Sequence, residues 1–152
     1  MSAVRINDIS NYLTDTFDGL APTETWGELS FFYNPEKRLP RGTYFCTIKE
    51  KDGDNDKGSN LNRDDVYRMN FGLPPKVFEN VFGPRPARLG KSQTIEGPWD
   101  FTALNMLMPH PVYGWMGWVC LLSPEAVTFD EIKPLLTIAH KHSVKSFNRR
   151  IK

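Results

Sequence analysis

A chain of 152 residues, 39% hydrophobic and 24% charged, has the size and composition of one globular domain able to bury about two-thirds of its unfolded surface. Its net charge of +1 supplies no field that would favour nucleic acid, an acidic substrate or a membrane surface. Charge interrupts the N-terminal residues before a signal-peptide apolar region can form, and no run approaches the roughly 18 apolar residues of a membrane span. A cytoplasmic protein that does not engage a membrane is therefore expected.

Taken in chain order, Ile6, Ile9, Leu13 and Phe17 recur at helical spacing and predict a helix over 6–18, stopped by Gly19. Residues 26–33 alternate as a strand. Asn34-Pro35 and Leu39-Pro40-Arg41-Gly42 then supply turn chemistry before a second strand over 44–49, so the two read as a hairpin. Residues 50–65 shift to Asp, Asn, Gly, Ser and Lys, a composition that predicts a mobile surface loop burying little apolar area. A third strand over 66–73 places Tyr67, Met69 and Phe71 on one face and Arg68 and Asn70 on the other.

Pro74 and Pro75 open a short helix carrying Val77, Phe78, Val81 and Phe82, which Gly83-Pro84 closes. Residues 83–98, with scattered prolines and bases and no apolar period, form a second long loop. The segment 100–108 reads as a helical turn capped by Asp100, with an edge strand as the alternative. The unbroken apolar run 118–122 is a buried strand. In the last helix Thr128 and Glu131 have capping-box spacing, and Ile132, Leu135, Leu136, Ala139, Ser143 and Phe147 define one face. Pro134 predicts a kink there, or a start nearer Lys133. The fold class that follows is α+β: one domain spanning 1–152, built on a mainly antiparallel sheet of four or five strands, with helices on one face and the other partly open.

No motif commits the chain to a reaction, and none calls for a cofactor. Asp52, Asp54 and Asp56 match the first three ligands of a calcium loop, but Lys57 stands where the turn glycine should be and Arg63 where the closing Glu should be. A solvated acidic loop is therefore the better reading. Cys46 and Cys120 lack CxxC spacing and sit in apolar runs, as small core hydrophobes do. His140 and His142 lie two apart on a helix and point in different directions, so no metal site is expected there. The run Met108-Pro-His-Pro-Val-Tyr-Gly-Trp-Met-Gly-Trp118 is held out of regular structure by its prolines and glycines. It either presents His110 and the Tyr and Trp rings to a ligand, or uses them to finish the end of the core. After Glu131 the chain carries six bases and no acid. Lys141, Lys145 and Arg149 recur every four residues, which could grip phosphates but is better read as the ordinary complement to the helix macrodipole.

The blocks Asn11-Tyr-Leu-Thr-Asp-Thr-Phe-Asp-Gly19, Phe31-Phe-Tyr-Asn-Pro35, Tyr67-Arg-Met-Asn-Phe-Gly72, Asp100-Phe-Thr-Ala-Leu104, Leu107-Met-Pro-His-Pro-Val-Tyr-Gly114 and Trp118-Val-Cys120 together resemble domain-of-unknown-function family 6194, a group of small bacterial proteins. That resemblance brings no activity with it. More distantly, a strand ending in Asn70, a short helix, a His/Tyr turn, Trp118 opening a strand and a final helix are similar to the MmcQ/YjbR-like group. This likeness implies a frataxin-like fold and a double-wing DNA-binding role. Where that group reads Tyr-His-Met-Asn-Lys before its tryptophan, the present turn lacks the lysine.

The function expected is a non-catalytic binding or interaction module, for a small molecule or a protein partner, using Arg68, Asn70, His110, Tyr113, Trp115 and Trp118. Two alternatives stand beside it: nucleic-acid binding through Lys141, Lys145 and Arg149, and a small enzyme with His110 as general base.

Overall fold

The computed structural model describes residues 2–25, 27–91 and 93–152. Among these residues the chain forms helix α1 (Ile6–Thr16), strands β1 (Leu20–Thr25), β2 (Glu28–Tyr33), β3 (Thr43–Lys49) and β4 (Arg68–Gly72), helix α2 (Pro75–Phe82), strands β5 (Leu107–Pro109) and β6 (Trp118–Leu122), and helix α3 (Ala126–Arg150). The strands make one open sheet in the order β1-β2-β3-β4-β6-β5, with every pair antiparallel. The protein is thus α+β, with six strands where four or five were expected.

The two additional strands lie at the edges. Leu-Ala-Pro-Thr-Glu-Thr in β1 has no apolar alternation to announce it, and Pro22 is tolerated because an edge strand leaves one row of N–H groups unpaired. At the other edge, the segment expected as a helical turn divides in two. Asp100 does close a turn, its Oδ1 accepting from the Thr102 N–H (3.0 Å) and hydroxyl (2.6 Å), but Leu107–Pro109 then pairs with β6. The strand expected over 26–33 is described from Glu28 onward; Trp26 lies outside the described residues.

The register sorts the side chains onto two faces. Phe31, Cys46, Phe71 and Val119 form one cross-strand row, and Ile48, Met69 and Leu121 another, beneath Ile9 and Leu13 of α1, Phe78 of α2 and Phe129, Ile132, Leu136 and Ala139 of α3. This is the main core. On the opposite face run Glu28, Lys49, Arg68 and Leu122, and beside them Ser30, Thr47, Asn70, Cys120 and Met108. A β-bulge interrupts the pattern: Phe31 pairs with Cys46 but Phe32 with Tyr44, leaving Phe45 as the extra residue. Phe45 and Cys46 both enter the main core, and Tyr44 is turned onto the opposite face.

That opposite face is only partly open. A second cluster of Leu61, Ile95, Phe101, Met108, Cys120 and Leu122 covers its β5–β6 end, with Leu61 and Ile95 supplied by the two segments expected to be loops. Residues 50–65 therefore do bury apolar area, with Leu61 and Ser59 inaccessible. The Arg63 guanidinium donates to Ser59 O (3.1 Å) and Thr102 O (3.0 Å), tying residues 50–65 to the turn that Asp100 closes.

Helix α3 begins at Ala126, ahead of the capping box read from Thr128 and Glu131. Its entry is held instead by Asn105 Oδ1, which accepts from the N–H of Glu125, the N-cap residue (2.8 Å). The helix runs through Pro134 without interruption. The ring faces solvent, where the carbonyl it leaves without a donor can be hydrated, while Ile132 and Leu136 on the inner face hold the helix to the sheet. Further along, Ser143 and Thr43 exchange hydroxyl and carbonyl bonds of 2.9–3.3 Å, docking α3 onto the start of β3.

Candidate functional site

Arg68 sits in the middle of the sheet, at 0% exposure, and a charge there needs every donor satisfied. Its Nε donates to Asn70 Oδ1 (2.6 Å), two residues along the same face of β4. Nη1 donates to Asp56 Oδ1 (3.0 Å) and Ser59 Oγ (3.0 Å), and Nη2 to Asp56 Oδ2, so the carboxylate grips the guanidinium with both oxygens. Asn70 in turn donates to Thr47 Oγ1 (2.9 Å) on β3. Burial alone would raise the Asp56 carboxyl, but the hydrogen bond and charge of Arg68 outweigh it and hold the group below its ordinary value. The strongest feature of the loop over 50–65 is thus an ion pair rather than a cation site. Asp52 accepts from Leu61 N–H (2.8 Å) and Asp54 faces solvent, so the three carboxylates do not converge. Among the described residues no group of three or more His, Cys, Asp and Glu side chains could hold a metal.

His110 completes the network. Nδ1 accepts from the backbone N–H groups of Val112 (3.0 Å) and Tyr113 (3.1 Å), and Nε2 lies 3.1 Å from Arg68 Nη2 and 3.9 Å from Asp56 Oδ2. Three donors face two ring nitrogens. The tautomer protonated at Nε2 keeps both backbone bonds and forgoes one from Arg68, and an imidazolium would lose all three. Burial, followed by the charge of Arg68, holds the ring well below its ordinary pKa. His110 is therefore a neutral acceptor that shapes its own turn, and Nδ1, its one lone pair, is already taken. The nearby Cys120 thiol is pushed up to about 12 by burial, which outweighs the opposing charge of Arg68 and leaves no thiolate nucleophile.

The turn itself is closed by His110 N–H to Trp118 O (2.9 Å), Gly114 N–H to His110 O (2.8 Å) and Met116 N–H to Tyr113 O (3.1 Å). Gly117 ends it with φ of +100°, where a Cβ would lie 2.7 Å from Leu73 O. Trp118 then lies across Gly72, its cross-strand partner, whose missing side chain leaves a seat for the indole, with a Cβ there only 3.0 Å from the ring.

Beside this network is a cavity of about 330 Å³. Tyr44, Tyr113 and Trp118 form its walls with Met116, and Glu28, Thr47, Asp56 and His110 its polar side. The Tyr44 and Trp118 rings stand at 83° with centroids 6.2 Å apart, and Tyr113 leans over His110 at 5.1 Å. Tyr44 and Tyr113 are 48% and 47% exposed, high for tyrosines whose rings line a pocket.

Of the residues singled out in the sequence, His110, Tyr113 and Trp118 line this cavity. Arg68 and Asn70 do not lie on an exposed sheet face: both are buried and act beneath the pocket. Trp115 is elsewhere, packed against the second cluster with the Arg88 guanidinium 4.6 Å above its ring. Lys141, Lys145 and Arg149 are exposed along α3, and Arg149 donates to Ser146 Oγ (3.3 Å). The sequence reading missed Glu28, Tyr44 and Thr47, whose common face depends on strand register and on the bulge, and it weighed Asp56 for a different role.

A family model, the family of unknown function DUF6194, matches residues 4–152. No curated protein and no solved structure matches the chain. The matched span takes in every element of the sheet, the Arg68 network and the 108–118 turn, and the chain belongs to the family of unknown function DUF6194.

Proposed function

We propose that this protein is a single-domain, non-catalytic binding module that takes a small ligand between Tyr44, Tyr113 and Trp118. The observation that carries the reading is the pairing of a buried, hydrogen-bonded polar network with half-exposed aromatic walls. The network fixes the turn and the sheet, and the rings are left with accessible faces. Catalysis by His110 is disfavoured, because its free lone pair is occupied and its protonated form is destabilised. The family resemblance and the two buried free thiols support a bacterial, cytoplasmic setting. The likeness of the Trp118 strand and final helix to MmcQ/YjbR-like domains supports a shared fold.

A thermal-shift panel of small metabolites tests the reading. Ligands of the pocket raise the midpoint of the wild-type protein, and Tyr44→Ala, which trims a half-exposed ring, abolishes the rise without turnover of the compound in either case. Stabilisation unchanged in Tyr44→Ala and Tyr113→Ala, or consumption of the compound, contradicts it.

The exposed ridge of Lys141, Lys145 and Arg149 supports the second reading, nucleic-acid binding. Anisotropy titrations at two salt concentrations separate the two: salt-dependent binding lost on triple charge reversal favours the ridge, and no binding at low salt removes it.

A further inference from the structure

The charge that faces the pocket is one-sided. Two carboxylates line it, from Glu28 and Asp56, and no lysine or arginine does. Arg68 lies against Asp56 but is wholly buried, its guanidinium bonded to Asp56, Ser59 and Asn70. Lys49, the cross-strand neighbour of Glu28, lines the adjoining cavity with Arg41 and forms no ion pair with Glu28. The Glu28 carboxylate has no hydrogen-bond partner among the described residues, and burial raises it above the ordinary carboxylate value against the lowering charges of Lys49 and Arg68. It is a partly desolvated carboxylate whose basic neighbours, Lys49 and Arg68, act on it through space without a direct bond.

The rings beside it have the arrangement such a counter-charge prefers. Tyr44 and Trp118 meet nearly at right angles, so their faces bound a corner, and Tyr113 stands on the turn across the same cavity. Ring faces carry the negative end of the aromatic quadrupole, and an alkylammonium seated in such a corner is attracted to every face at once. The polarizable Met116 side chain, 42% exposed, adds apolar contact suited to methyl or methylene groups. The corner is also rigid: Trp118 is seated on Gly72, and the β-bulge holds Tyr44 on this face.

Taking the pocket to be the binding site described above, we infer that its ligand is a small organic cation, an alkylammonium or quaternary ammonium compound, held in the Tyr44–Trp118 corner with Glu28 as counter-ion. An inorganic anion or a phosphate ester is poorly matched here, since no lysine or arginine lines the cavity. A bare metal ion would lack a third ligand, and the aromatic walls would oppose its hydration shell.

The test is a titration of the full chain with choline, and with the neutral isostere in which carbon replaces the quaternary nitrogen, followed by tryptophan fluorescence and calorimetry. Saturable choline binding is expected, with the isostere roughly tenfold weaker because it has the shape without the charge. Glu28→Gln, which keeps the side-chain volume, is expected to erase most of that difference while leaving the thermal midpoint in place. Tyr44→Leu is expected to weaken choline and spare the fold, its ring being half exposed. Equal binding of choline and isostere overturns the cation inference and leaves the pocket as a binding site for neutral ligands. Failure of both probes also overturns it, and if the metabolite panel above then finds no Tyr44-dependent ligand, the binding-module reading falls as well.

Discussion

Arg68 is held by Asp56, Ser59 and Asn70 at 0% exposure, while Asp56 keeps 14% of its side chain accessible, so the two ends of the ion pair are not equivalent. Removing Asp56 strands a wholly buried cation, and Asp56→Ala is expected to cost about 3–5 kcal/mol in urea denaturation. Replacing both partners, Arg68→Met with Asp56→Ala, is expected to recover a large part of that loss, because no unpaired charge remains. A double variant no more stable than Asp56→Ala alone would show that the pair is not the unit. Because Arg68 lowers the Asp56 pKa, the stability it confers is present above the ordinary carboxylate value and is lost as pH falls through the folded one.

His110 titrates in a different window. Its ordinary pKa is 6.5 and burial depresses it in the folded chain, so below pH 6.5 the unfolded chain takes up a proton that the folded one refuses. Stability then falls on acidification by up to about 1.4 kcal/mol per pH unit until the depressed folded value is reached. His142, also depressed by burial, acts in the same sense, and Glu28, raised by burial, opposes it where it titrates. The informative quantity is therefore the difference between wild type and His110→Gln, measured by denaturation from pH 7 to 5: a shallower slope in the variant is expected, and parallel slopes would contradict the account.

At the level of the elements, α3 offers a direct check on why a proline is tolerated. Pro134 faces solvent and contributes no core contact in that position, while its ring forgoes one helical hydrogen bond. Pro134→Ala is expected to stabilise the chain by roughly 1–3 kcal/mol in chemical denaturation, whereas a loss would mean that the ring packs against something the fold needs. The sequence made α1, α2, β4, β6 and the inner face of α3 legible, because each carries its own apolar period. Alternation placed Tyr67, Met69 and Phe71 opposite Arg68 and Asn70, as found. It could not reveal β1, whose Ala-Pro-Thr-Glu run is an exposed edge, or the bulge at Phe45, which alters the face of Tyr44 without changing the composition.

Over the whole molecule, two cores lie on the two sides of one sheet, and the smaller is completed by Leu61 and Ile95 from polar-looking loops. Asp52, Asp54 and Asp56 are chemically alike in sequence. Only the return of residues 50–65 over β4 gives Asp56 an arginine and leaves Asp54 in solvent. The same long-range register brings Glu28, Thr47 and His110, from three separate parts of the chain, around one cavity. The candidate site was legible where it is local, in His110, Tyr113 and Trp118, and hidden where it depends on contacts distant in sequence.

On the proposed function, this cavity and not the basic ridge of α3 receives the ligand. Two-dimensional heteronuclear NMR of the labelled protein with choline and the metabolite panel tests it most directly. Saturable shifts are expected at the Trp118 indole and at the amides of Tyr44 and Tyr113, with the Trp115 indole and the amides of Lys141 and Lys145 unmoved. Shifts confined to α3 or to Trp115, with the Trp118 indole unchanged throughout, would contradict it.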